Sequence, residues 1–278
     1  MLALRFELRI PKGHFGIPRS YARILMNDEA ATSLTPLPRC EVPRIDRVLK
    51  IFAGLKQDVA RLLDIGCGDG SFALRLKYAC NAVEVYGIDE AEDPITSAKE
   101  KGIKAFVLDA DNNQYPFPND YFDAVFAGEV LEHLTDPDHF FEEVHRILRK
   151  NGTFVITTPN FAAWYNRIAL ALAFQPFSLD NSWRHANAGK MLSFRRDRSF
   201  AAGLKGEIKS AAPNMRHEKL YTRRALKAIL ELYDFHIVQC GGYPFLPDGR
   251  SYLAYNSIEL IMDRLGAGAG ILISCSKK

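Results

Sequence analysis

Apolar residues recur along this chain in two alternating rhythms. Ile45, Val48, Leu49, Phe52 and Leu55 fall on one helical face and predict a helix over 44–59. Short apolar runs predict strands over 61–65, 83–88, 104–108, 122–127 and 153–157. Helices are predicted between them. Phe72, Leu74, Leu76 and Tyr78 mark one after Gly70, and Asp93-Pro94 opens another that Gly102 stops. Asp136-Pro137 opens a third, with Phe140, Val144, Ile147 and Leu148 on one face and Gly152 closing it. After a long irregular stretch the rhythm returns at Thr222 with a helix carrying Leu226, Ile229, Leu230 and Tyr233. Strands over 235–240 and 271–275 follow. Strands alternating with helices predict an α/β fold, a mainly parallel sheet with helices on both faces.

The breaks in this rhythm suggest four parts. Residues 1–43 read as an N-terminal arm, 44–160 as the core, 161–215 as an insertion shaping a binding site, and 216–278 as the rest of the same domain. The first part of the insertion holds Trp164, Tyr165, Ile168, Leu170, Leu172, Phe174 and Phe177. It reads as a packed helix, an apolar lid or an interfacial membrane helix. Between Arg184 and Lys227 twelve Lys or Arg face three acids, although the whole chain is only +3. That run reads as a solvated face or as a seat for an anionic ligand. A transmembrane span is not expected, because the longest apolar candidate, 168–179, has 12 residues and contains Pro176. Arg5, Glu7 and Arg9 interrupt any leader core, so a cytoplasmic protein is expected. Five scattered cysteines without a C-x-x-C pair support neither a disulfide framework nor a thiolate zinc site. The oligomeric state is not legible.

The candidate chemistry starts at Asp64-Ile65-Gly66-Cys67-Gly68-Asp69-Gly70, a glycine turn after the first strand. A strand, a glycine turn and a helix build a pocket at the carboxyl end of a parallel sheet. The third glycine of the dinucleotide fingerprint is replaced by Ser71, and no Lys or Arg lies between Leu62 and Ser71. A diphosphate would meet like charge there. A ligand carrying an ammonium and a sulfonium, S-adenosylmethionine (SAM), would be attracted. Asp89 ends the second strand, where its carboxylate can accept both ribose hydroxyls. Asp109 follows the third, where it can accept from an adenine amino group. The competing reading is that these acids cap turns and helices.

These stretches, with Tyr86-Gly87-Ile88-Asp89, Leu108-Asp109-Ala110-Asp111, Pro116-Phe117-Pro118, Phe122-Asp123, Glu129-Val130-Leu131-Glu132-His133 and Leu148-Arg149-Lys150-Asn151-Gly152, resemble the class I SAM-dependent methyltransferases. The resemblance implies a Rossmann-like seven-stranded sheet with an antiparallel last strand. It also implies that Asp64 and Gly66 lie near the methionine part of SAM, Asp89 at the ribose, and Asp109 with Ala110 at the adenine. The cofactor set expected is Asp64, Gly66, Cys67, Gly68, Gly70, Asp89, Glu90, Asp109, Ala110 and Glu129.

Glu129, Glu132 and His133 are spaced i, i+3, i+4. If they open a helix they share a face, and with His217 they resemble the metal motif of some O-methyltransferases and of small-RNA 2′-O-methyltransferases. Mg²⁺, Mn²⁺ or Zn²⁺ would suit them; the competing reading is a motif without metal, whose His caps a helix or acts as a plain base. His133 is the first candidate for a general base, followed by His217 and His185. The Asn/Asp-Pro-Pro-aromatic motif of base N-methylation is absent after the fourth strand. The reading is therefore a methyltransferase acting at oxygen of a small-molecule acceptor, apolar or anionic. The alternatives are a non-catalytic SAM-binding regulator and a metal-assisted RNA 2′-O-methyltransferase, although a net charge of +3 suits nucleic acid less well.

Overall fold

Arg61–Ile65 (β1) is buried along almost its whole length, and a strand apolar on both faces needs cover on both. It pairs in parallel with Glu84–Asp89 (β2) on one side and, across the register Ile65 to Ala127, with Phe122–Gly128 (β4) on the other. Lys104–Val107 (β3) extends the sheet from β2, and Leu148–Pro159 (β5) extends it from β4. Gly270–Lys277 (β7) inserts antiparallel between β5 and Phe235–Tyr243 (β6). The order is β3-β2-β1-β4-β5-β7-β6, the seven-stranded arrangement with an antiparallel last strand that the resemblance implied. The structure, a computed structural model, describes residues 42–177, 179, 190, 219–244 and 261–278. The predicted arm therefore lies outside the described residues but for Val42 and Pro43, as does most of the basic run.

The helices are Val42–Ala53 (α1), Ser71–Cys80 (α2), Glu92–Glu100 (α3), Pro137–Ile147 (α4), Trp164–Ala171 (α5) and Arg223–Leu232 (α6). Helix α1 buries the predicted stripe Ile45, Val48, Leu49 and Phe52. It is six residues shorter than predicted at its end, because the Gly54 N–H turns back onto the carbonyls of Lys50 and Ile51. Asp136 caps α4 by accepting from the His139 N–H, with Pro137 at the first helical position as expected. The predicted stop at Gly152 is displaced: α4 ends at Ile147, Leu148 is already extended, and Gly152 lies inside β5. Leu148 pairs with Phe122, so the register of the sheet overrides the glycine signal.

Parallel pairing brings the carboxyl ends of β1 to β5 to one edge of the sheet. The segments after Ile65, Ile88, Val107 and Gly128 therefore lie side by side. In the insertion, α5 buries Asn166 and Ala169 and leaves Ile168, Leu170 and Leu172 exposed. No helix among the described residues is long and apolar enough to cross a membrane.

Candidate functional site

The turn after β1 carries Gly66, Gly68 and Gly70, all in the left-handed region. Two of them show what surrounds it. A Cβ at Gly66 would stand 2.5 Å from a methyl of Val130, so this glycine permits contact with the segment after β4. A Cβ at Gly68 would meet nothing within 4 Å. Gly68 is thus a face of backbone left open at the carboxyl edge of the sheet. The Gly68 N–H donates to Asp89 at 2.8 Å, and the Ala91 N–H donates to the other Asp89 oxygen at 3.0 Å. Asp89, half-buried, thereby ties the glycine turn to the end of β2, with Glu90 exposed beyond it. Cys67 is buried. Its Sγ fills the space beside Gly87, and burial together with the negative Asp64 and Asp89 pushes its thiol far above the usual range.

The acidity read along the turn is partly cancelled in three dimensions. Lys101, arriving from the end of α3, places its Nζ 2.7 Å from an Asp69 carboxylate oxygen and 2.8 Å from the Asp69 carbonyl. Asp64 is 2% exposed. Burial first, then the negative Asp89, push its carboxyl well above the ordinary range, while Arg44 of α1 pulls it down. Asp109 serves its own turn: its oxygens accept from the Asp111 N–H at 2.8 Å and the Asn112 side chain at 2.9 Å. The Ala110 carbonyl accepts from the Tyr115 hydroxyl at 3.1 Å. The capping role weighed for Asp109 is thus present in the fold.

The segment after β4 departs from the helix expected there. Glu129 takes φ +57°, and only Leu131–His133 forms a single 3₁₀ turn. A left-handed residue ahead of the turn breaks the helical spacing, so Glu129, Glu132 and His133 do not share one face. Glu129 Oε1 accepts from the Tyr243 hydroxyl at 2.6 Å and lies 3.9 Å from Arg44 Nη1. Glu132 is buried and accepts from the Thr158 hydroxyl at 2.8 Å. The His133 Nε2 lies 3.9 Å from Glu132 Oε1, with about a quarter of its side chain exposed. Among the described residues no group of three or more His, Cys, Asp or Glu side chains is placed to hold a metal ion. His217 and His185 lie outside the described residues.

Sequence reasoning missed Arg44, Lys101 and Tyr243. They come from α1, the end of α3 and β6, and nothing in the spacing of the glycine turn points to them. Tyr243 had one faint signal, the glycine at 270. Its partner in the register is Tyr243, whose ring occupies the place of a side chain there.

Residues 63–156 match the family described as Methyltransferase domain. The chain is 36% identical over 135 residues to 27-O-demethylrifamycin SV methyltransferase of Amycolatopsis mediterranei, covering 46% of this chain and 45% of the relative. It is 31% identical over 107 residues to malonyl-(acyl-carrier protein) O-methyltransferase of Legionella pneumophila, covering 37% of this chain and 38% of the relative. The chain thus spans less than half the length of these relatives. A SAM-dependent methyltransferase from Mesorhizobium loti superposes with a TM-score of 0.54 at 20% identity, over 86% of this chain and 98% of that one, and shares the fold. Residues 63–156 thus match a methyltransferase domain, and the sheet order is that of the fold shared with the solved methyltransferase.

The residues at the sheet edge fit SAM. Gly68 leaves open backbone where a ligand can approach closely, and Asp89 stands beside it at the strand end. Asp64 is buried near a second acid, and a positive charge bound beside it would lower its raised carboxyl.

Proposed function

We propose that this protein is a cytoplasmic SAM-dependent methyltransferase acting at oxygen of a small-molecule acceptor. The observation that carries the reading is the open backbone at Gly68 joined to Asp89 by a 2.8 Å hydrogen bond at the carboxyl edge of the sheet. When bound, SAM supplies an electrophilic methyl group on a positively charged sulfur. Asp89 accepts from the ribose hydroxyls, with Glu90 beside it at the rim. Asp64, Gly66, the Cys67 backbone and Gly70 shape the methionine side, and Asp109 with Ala110 borders the adenine. His133 takes the proton of the acceptor hydroxyl as the new C–O bond forms and the C–S bond breaks, and His217 is the second candidate for that proton. Most of the acceleration comes from aligning nucleophile, methyl and sulfur. The name of the Amycolatopsis relative specifies a demethylated oxygen of rifamycin SV, which favours oxygen as the methylated atom.

The test is transfer of a labelled methyl group from SAM to a panel of hydroxylated metabolites, beside calorimetry with S-adenosylhomocysteine. His133→Ala is expected to lower kcat by ~10²–10⁴-fold and to leave S-adenosylhomocysteine affinity unchanged. If His133→Ala and His217→Ala both keep full turnover, neither is the base. If the wild-type protein binds no S-adenosylhomocysteine, the methyltransferase reading itself fails.

A further inference from the structure

The glycine turn after β1 is gripped from two sides, and the second grip is a lysine. On the side of β2, the Gly66 and Cys67 N–H groups donate to the Ile88 carbonyl at 2.8 and 3.1 Å, and the Gly68 N–H donates to Asp89 at 2.8 Å. Beyond Gly68 the chain runs through Asp69 and Gly70 into α2. This half meets the corner between α3 and β3. A Cβ at Gly70 would collide with the Ile103 side chain and stand 3.0 Å from the Ala98 Cβ, so a glycine is what lets the turn seat itself there.

Lys101, the residue that ends α3, reaches back from this corner. Its Nζ lies 2.8 Å from the Asp69 carbonyl, 2.7 Å from an Asp69 carboxylate oxygen and 2.9 Å from the Ser71 hydroxyl. An ammonium has three protons, and three oxygens of residues 69–71 stand ready to take them. The other Asp69 oxygen accepts from the Ser71 N–H at 3.0 Å, where α2 starts. Only 14% of the Lys101 side chain is exposed.

The reason for such a grip lies in the backbone. Residues 66–70 hold three left-handed glycines, and glycine loses more conformational freedom on ordering than any other residue. A turn already ordered by the fold spares the ligand that ordering. A turn that is competent only part of the time binds its ligand more weakly by that fraction. Gly68, whose backbone is open, sits between the two grips: Asp89 holds its N–H and Lys101 holds the next residue.

We propose, on the SAM reading of this cleft, that Lys101 is the positioning residue that orders the glycine turn for the methyl donor, acting through Asp69. A role in charge alone would look different. Removing the ammonium bares the Asp69 carboxylate, and a bare acid favours SAM over S-adenosylhomocysteine, which lacks the sulfonium charge. A loosened turn weakens both alike.

The experiment is calorimetry with both ligands, beside hydrogen exchange, on Lys101→Met, which keeps an apolar stem and removes the ammonium. Both ligands are expected to weaken ~10-fold, as for a turn competent about a tenth of the time, and by factors equal within ~2-fold. Amides of the turn should exchange faster in the free variant and slow again with S-adenosylhomocysteine bound, while those of β1 and β4 stay as in the wild type. Asp69→Asn should weaken both ligands ~2–5-fold, and the double variant should be no weaker than Lys101→Met by more than ~2-fold, since the lysine acts through that residue. Unchanged binding in Lys101→Met overturns the proposal. So does weaker S-adenosylhomocysteine with SAM unchanged or tighter, which marks a charge role, and so does faster exchange across the whole sheet, which marks a general structural one. Should Lys101→Met fail to fold, Asp69→Asn decides, and full affinity for both ligands there overturns the proposal. Lack of S-adenosylhomocysteine binding by the wild type overturns the SAM reading, a result distinct from loss confined to the variants.

Discussion

Glu132 shows how a single buried side chain makes the fold sensitive to pH. Its side chain is 2% exposed, and its carboxyl is pushed up to about 8, by burial first and by the negative Glu129 second. The Thr158 hydroxyl, a backbone N–H and Arg44 pull in the opposite direction. In the unfolded chain the same group titrates near 4.5. The folded state therefore holds a proton that the unfolded state has lost across this interval. The stabilising contribution is complete below about 4.5 and disappears as pH rises through about 8. We expect the Tm of the wild type to fall between these pH values. Glu132→Gln, which cannot ionise but still accepts from Thr158, should show a shallower fall. Thermal unfolding of both proteins across the interval checks this, and parallel curves would refute it. The sequence reading placed Glu132 in a metal set. The residue type and its spacing were legible, but its enclosure beneath the segment after β4 was not, because burial depends on Thr158 of β5.

Among the elements, those with strong local signals were read most accurately. The α1 stripe, the Asp136-Pro137 start and the helix after Thr222 were each written in contiguous residues. Thr222 caps α6 by accepting from the Ala225 N–H at 3.2 Å. Thr222→Ala should destabilise the protein by ~1 kcal/mol, measured by chemical denaturation, with no change in ligand affinity. Errors arose where tertiary pairing competes with local preference. Gly152 looked like a helix stop, but Leu148 had already joined β4. The segment 129–133 looked like the start of a helix, but Glu129 is drawn out of helical geometry by the Thr157 carbonyl and the Tyr243 hydroxyl.

In the whole molecule, the proposed site is an edge where four loops meet and two further elements bring α1's Arg44 and β6's Tyr243 to Glu129. A ligand bound there bridges segments distant in sequence, and binding to the folded state alone stabilises it by mass action. S-adenosylhomocysteine at 100 times its Kd should add ~2.7 kcal/mol, a rise of roughly 5–10 °C in Tm for a domain of this size. Differential scanning fluorimetry measures it, and an unchanged Tm at saturation would argue against the site.

By itself the sequence determined the alternation of strands and helices, the glycine turn and the acids at the strand ends. Each of these is a local pattern, and parallel pairing necessarily collects strand ends at one edge. Only the tertiary structure decided the balance of charge there. Lys101 neutralises Asp69, Arg44 faces Asp64 and Glu129, and Tyr243 holds Glu129 from the far side of β7. Coulomb forces and hydrogen bonds act through space, and the partners of this turn are brought to it by sheet order, which no stretch of the chain spells out locally.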